Sequence, residues 1–164
     1  MNIKTVAAAG LVLLAATAAN AGPGHSGDHD EMAVGKPGNA AQVDRTVEIR
    51  MHETDDGQML FEPASLEVSR GETIRFALAN DGALDHEFVL DDPAKNQEHK
   101  EVMQRFPEME HDDPNSARLA PGANGEIVWT FTNEGTFEFA CLIPGHYESG
   151  MHAAVEVIDG NAAN

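Results

Sequence analysis

The stretch "TFEFACLIPGHYESGMH", residues 136–152, decides how this chain is read. Its first six residues alternate with period two, so Phe137, Phe139 and Cys141 share one face of a strand. Pro144, Gly145 and Gly150 then break the strand into a loop able to fold back over one point. That loop carries His146 and Met151, giving the pattern C-x4-H-x4-M around the single cysteine of the chain.

Outward from this stretch the same period recurs in short runs: 46–51, 65–68, 73–78, 86–90, 126–131 and 153–158. Turn signals separate several of them, among them Asn80-Asp81-Gly82, Asn124-Gly125 and Asn133-Glu134-Gly135. Seven or eight short strands so spaced predict an all-β, antiparallel β-sandwich. In "HEFVL" (86–90), His86 is in phase with Phe88 and Leu90. Cys141 and His86 therefore both continue core-facing apolar rows at strand ends.

A thiol and an imidazole pointing into one end of a sandwich, with His146 and Met151 from the loop, make a soft donor set. Thiolate and thioether suit Cu(I), imidazole accepts both oxidation states, and His, His, Cys with a weak axial Met is the blue-copper arrangement. Zinc fits less well, since its structural sites favour several cysteines. A lone buried cysteine is ordinarily a small hydrophobe and a lone methionine a filler, but neither reading explains the combination. A Cys/His nucleophile leaves Met151 and His86 unexplained.

The amino terminus predicts where the protein works. A short basic start, an apolar run too short to span a bilayer and Ala19-Asn20-Ala21 read as a signal peptide over 1–21. The mature chain would have 164 − 21 = 143 residues, no later membrane-spanning segment, and a periplasmic, exported location. One cysteine permits no internal disulfide in that oxidising compartment. The formal charge of −18 becomes −19 once Lys4 is removed, 9 basic against 28 acidic residues. Nucleic acid is thereby excluded as a partner, while cations and basic protein surfaces fit.

Residues 22–43 are rich in Gly, Pro and Ala and read as a flexible arm, with the domain spanning 44–164. An acidic insertion over 91–117 breaks the strand rhythm. Asp92 and Pro93 open, and Pro107 stops, a predicted helix around 92–106.

From Asp44 to Ile158 the chain resembles the cupredoxin family of type 1 copper proteins. The resemblance rests on "FEPASLEVSRGETIRF", "DHEFVL", "LAPGANGEIVWTF" and "GTFEFACLIPGHYESGM", in that order. It implies a Greek-key β-sandwich holding one copper, with His86, Cys141 and His146 as equatorial ligands and Met151 axial. It also implies one-electron cycling between Cu(I) and Cu(II), with no catalytic residue. Glu87 stands where many members carry Asn or Ser, and with Asp85 it is a candidate neighbour of the ligands, which leaves blue against green colour open.

Beyond those four ligands the mature chain keeps six histidines and five methionines. Candidate accessory copper donors are His25, His29, Met32, Met51, His52, His99, Met103, Met109 and His111. His99 and Met103 are i and i+4 on the predicted helix; the alternative is that Met103 and Phe106 pack against the sandwich. The insertion and "DHEFVL" resemble the proteobacterial periplasmic copper-resistance cupredoxins, which implies copper tolerance through binding, sequestration or oxidation of copper, with at most a weak cuprous-oxidase-like activity. The rival reading is a soluble electron carrier docking on a cytochrome or other redox protein with a basic surface.

Overall fold

A computed structural model describes residues 32–107 and 113–160. Its strands are β1 (Lys36–Pro37), β2 (Arg45–Glu53), β3 (Met59–Glu62), β4 (Ser65–Ser69), β5 (Thr73–Asn80), β6 (His86–Asp91), β7 (Ser116–Leu119), β8 (Asn124–Thr130), β9 (Gly135–Ala140) and β10 (His152–Ile158), with one helix, α1 (Pro93–Arg105). They form two five-stranded sheets, ordered β1-β8-β5-β2-β3 and β4-β10-β9-β6-β7. This is the predicted Greek-key β-sandwich with a short helical insertion.

Alternation explains the layers. In β5 the pattern of inward Ile74, Phe76 and Leu78 is strict, and β2 matches it with Val47, Ile49 and Met51. At the centre Phe139 stacks on Phe88 with ring centroids 5.1 Å apart, and Phe61 meets Phe139 edge-on, also at 5.1 Å. Such pairs contribute beyond their buried area.

Two features correct the sequence reading. The sandwich is not wholly antiparallel: β2 pairs with β5 and β4 with β10 in parallel, because these partners lie in one sheet but are joined through the other. Nor does the chain remain outside the fold until residue 44. Val34 is fully buried, its carbonyl accepts the Trp129 Nε1–H at 3.3 Å, and β1 pairs with β8. The anchor of this predicted arm is apolar packing that its Gly/Pro-rich composition conceals.

The helix falls where expected. Asp92 caps it by accepting the Ala94 N–H at 2.8 Å, and Pro93 stands at its first turn. It covers the outer face of the second sheet: Met103 is buried with Val89, Ala140 and Leu142. Asn96 Nδ2 donates to Glu138 Oε1 at 3.2 Å, and the Tyr147 hydroxyl donates to Glu138 Oε2 at 3.3 Å. Phe106, by contrast, is 60% exposed and packs on nothing comparable. The last two residues of the predicted insertion, 116 and 117, already belong to strand β7, which pairs with β6.

Candidate metal centre

Three donors meet at one end of the sandwich. His86 is the first residue of β6, Cys141 follows the last residue of β9, and His146 sits in the loop between β9 and β10. His86 Nδ1 lies 3.3 Å from His146 Nδ1, and Cys141 Sγ also lies 3.3 Å from His146 Nδ1. All three donor atoms fall within 4.8 Å of one another, and the side chains are buried. A metal about 2 Å from three trigonal donors spaces them by about 3.5 Å, so the triangle fits an ion at its centre. Two imidazole nitrogens and a sulfur converging in a buried site form a donor set that one cation can share.

Electrostatics agree. Burial pushes the Cys141 thiol up to about 12, against the pull of the Glu87 and Ile143 N–H groups. His86 is held below its ordinary value by burial, although Glu53 opposes this. His146 is lowered by burial and then by the neighbouring His86. Both imidazoles are therefore neutral, with lone pairs free for a metal, at neutral pH.

The loop is fixed by its own backbone. Cys141 N–H donates to the Met151 carbonyl at 3.0 Å, Met151 N–H to the His146 carbonyl at 3.1 Å, and His146 N–H to the Ile143 carbonyl at 3.0 Å. Gly145 and Gly150 adopt left-handed φ of 90° and 103°, which this tight return requires. Met59 N–H reaches across from β3 to the Ser149 carbonyl at 3.0 Å. Behind the loop, Tyr147 stacks on His152 at 4.5 Å, and Lys100 Nζ lies 4.3 Å from the Tyr147 ring centre. Helix α1 thus braces the loop from outside.

Met151 is fully buried in the cluster that contains Cys141. Glu87 is buried, and its N–H donates to Cys141 Sγ at 3.3 Å, so its contact with the sulfur is through the backbone. Asp85 is exposed and pairs with Arg118 at 3.2 Å, acting on the histidines only through space.

Among the described residues, no accessory histidine joins a group of three or more His, Cys, Asp or Glu donors. Met51 and Met103 are core residues, not free donors, because each occupies an inward position of its strand or helix. Met32 packs partly on the core, while His52 and His99 are half-buried at separate places. His25, His29, Met109 and His111 lie outside the described residues. Among the described residues, His86, Cys141 and His146 make up the one group of three or more His, Cys, Asp or Glu donors close enough to share an ion.

One neighbour escaped the sequence reading. Glu53, at the end of β2, places Oε1 3.1 Å from His86 Nε2. Its carboxyl lies below its ordinary value: burial raises it, but the Ala83 and Leu84 N–H groups outweigh that. The available signal was an acid in phase with inward Met51.

A two-sheet sandwich with a buried His, His, Cys centre at one end defines a type 1 copper protein. The chain belongs to the copper-binding plastocyanin/azurin family, whose profile matches residues 47–158. It is 50% identical over 139 residues to the copper-resistant cuproprotein CopI of Rubrivivax gelatinosus, covering 83% of this chain and 82% of that protein. The CopI of Pseudomonas aeruginosa is 38% identical over 170 residues, covering 86% and 88%. Among solved structures, auracyanin B superposes with a TM-score of 0.58 at 23% identity, over 71% of this chain and 91% of that one; this likeness is one of fold. No helix among the described residues is long and apolar enough to cross a membrane.

Proposed function

We propose that this chain is an exported copper-tolerance cupredoxin, cleaved after Ala21, that sequesters copper at a type 1 centre, where His86, Cys141, His146 and Met151 would hold the ion. The observation that carries this reading is the buried donor triangle, and similarity to two CopI proteins supports the tolerance role. Copper, when bound, supplies one-electron exchange between Cu(I) and Cu(II). The chain's own residues hold the geometry. Phe88, Phe139 and Met151 exclude water from the inner side, the Glu87 N–H supports the sulfur, and the loop hydrogen bonds keep the donors at fixed separation.

Two results test this. Deleting the gene should make cells hypersensitive to copper while leaving respiration at low copper intact; a respiratory defect without copper sensitivity would point to an electron carrier. Titrating the purified protein should develop one coloured copper per chain, with further copper taken up without colour by donors such as His25, His29, Met109 and His111. Uptake that stops at one copper would remove the accessory capture.

Protonation gives a separate check. With both imidazoles already neutral and the Cys141 thiol at about 12, loading Cu(I) at pH 7 to 9 should release about one proton per site, so apparent affinity rises about tenfold per pH unit. A pH-independent affinity measured against a competing chelator would mean that Cys141 does not bind as thiolate.

A further inference from the structure

We propose that Glu53 is the positioning residue of the copper site, its carboxylate taking the His86 Nε2–H so that the ring keeps the tautomer and orientation that aim Nδ1 at the metal. This rests on the reading of His86, Cys141 and His146 as the copper ligands.

The carboxylate is itself held in place. Oε2 accepts the Ala83 N–H at 2.9 Å and Oε1 the Leu84 N–H at 3.0 Å. Oε1 then stands 3.1 Å from His86 Nε2. His86 is fully buried, and Nε2 has no aligned hydrogen-bond acceptor among the described residues, so Glu53 is the acceptor within reach. A buried N–H left without one costs free energy, and moving the proton to Nδ1 would block the atom that faces His146 and Cys141.

Gly82 is the second observation. A Cβ there would overlap Glu53, with Oε1 and Cδ each 2.9 Å away and Oε2 closer still. Gly82 does not have a left-handed φ, so what its missing side chain provides is space for the carboxylate. Glu53 belongs to the first sheet and His86 to the second. The contact therefore ties the two layers together at the copper end, where no strand pairing joins them. A metal-bound histidine whose other nitrogen meets a carboxylate is held more firmly and is a better donor.

The competing explanation is that Glu53 merely caps the turn at residues 82–84. Glu53→Ala, Glu53→Gln and Gly82→Ala in the full mature chain separate the two, measured beside the wild type. Cu(I) affinity is read by chelator competition, the Cu(II) form by visible and paramagnetic resonance spectra, and the His86 ring of the metal-free protein by nitrogen NMR. Glu53→Ala should lose about 10- to 100-fold in copper affinity, alter the copper spectrum and disturb the His86 tautomer, while Glu53→Gln, which keeps a carbonyl oxygen, should recover most of each. Wild-type affinity, spectrum and tautomer in Glu53→Ala would overturn the proposal, even if its metal-free melting temperature fell. Should Glu53→Ala fail to fold, Gly82→Ala displaces the carboxylate without removing it and is read by the same criteria. A wild type that takes up no coloured copper would refute the copper reading, while the metal-free NMR would still decide the role of Glu53.

Discussion

Cys141→Ser should abolish the intense visible absorption of the copper-loaded protein and leave the sandwich folded. The colour of a type 1 site arises from charge transfer between thiolate sulfur and Cu(II), and Cys141 is the only cysteine. A serine hydroxyl at the same place is harder, far less acidic and shorter, so copper bound by His86 and His146 alone would be pale and weakly held. The fold has little reason to suffer. Cys141 is a small buried side chain at a strand end, and its N–H bond to the Met151 carbonyl is a backbone contact that survives the change. Burying the hydroxyl costs about 1–3 kcal/mol, within the reserve of a typical domain. The check is absorption and paramagnetic resonance on the copper-loaded variant beside circular dichroism on the metal-free one. Intense colour in the serine variant would remove Cys141 from the site, and loss of the sandwich signal would make the thiol structural.

The parts of this molecule that could be read from sequence are those where one residue's environment repeats along a strand. β2, β5, β8 and β10 carry enough alternating positions to declare their buried face, whereas β9 is buried on both faces, one of them against Met103 of α1. The phase of His86 and Cys141 followed from their own strands, and the tight return that brings His146 beside them from the Pro and Gly of the loop. What was missed lies at the sheet margins. β1, β3 and β7 are edge strands of two to four residues, too short to show a period and defined by their neighbours instead. The parallel pairings are likewise invisible, because alternation reports a face and not a direction.

The helix shows the limit from another side. His99 and Met103 are compatible both with a metal face and with a packing face, since both need residues at i and i+4. Burial against Val89, Ala140 and Leu142 decides for Met103, and no local pattern contains those three residues. Glu53 is the same case in the site itself. Its partner His86 comes from the other sheet, and the turn that supplies its N–H donors is set by β5 and β6 together.

Phe139→Ala should destabilise the fold by about 3–5 kcal/mol. Phe139 is fully buried, stacked on Phe88 and edge-on to Phe61, so truncation removes both ring contacts and opens a cavity between the sheets. Typical domains hold only about 5–15 kcal/mol, which makes this a large share of the whole. Phe106→Ala is the control: the same chemical change at a residue 60% exposed should stay within about 0.5 kcal/mol. Urea denaturation of the two metal-free variants measures both, and comparable losses would defeat the packing account. Copper then probes whether the core and the site are one unit. Excess copper at about 100 times its dissociation constant adds about 2.7 kcal/mol to any variant whose site is unchanged. Phe139 and Cys141 lie two positions apart on one face, so the cavity should let the sulfur drift and the variant should gain less from copper than the wild type does. A gap between the two proteins that is the same with and without copper would mean that the loop hydrogen bonds, and not the aromatic core beneath them, hold the donors in place.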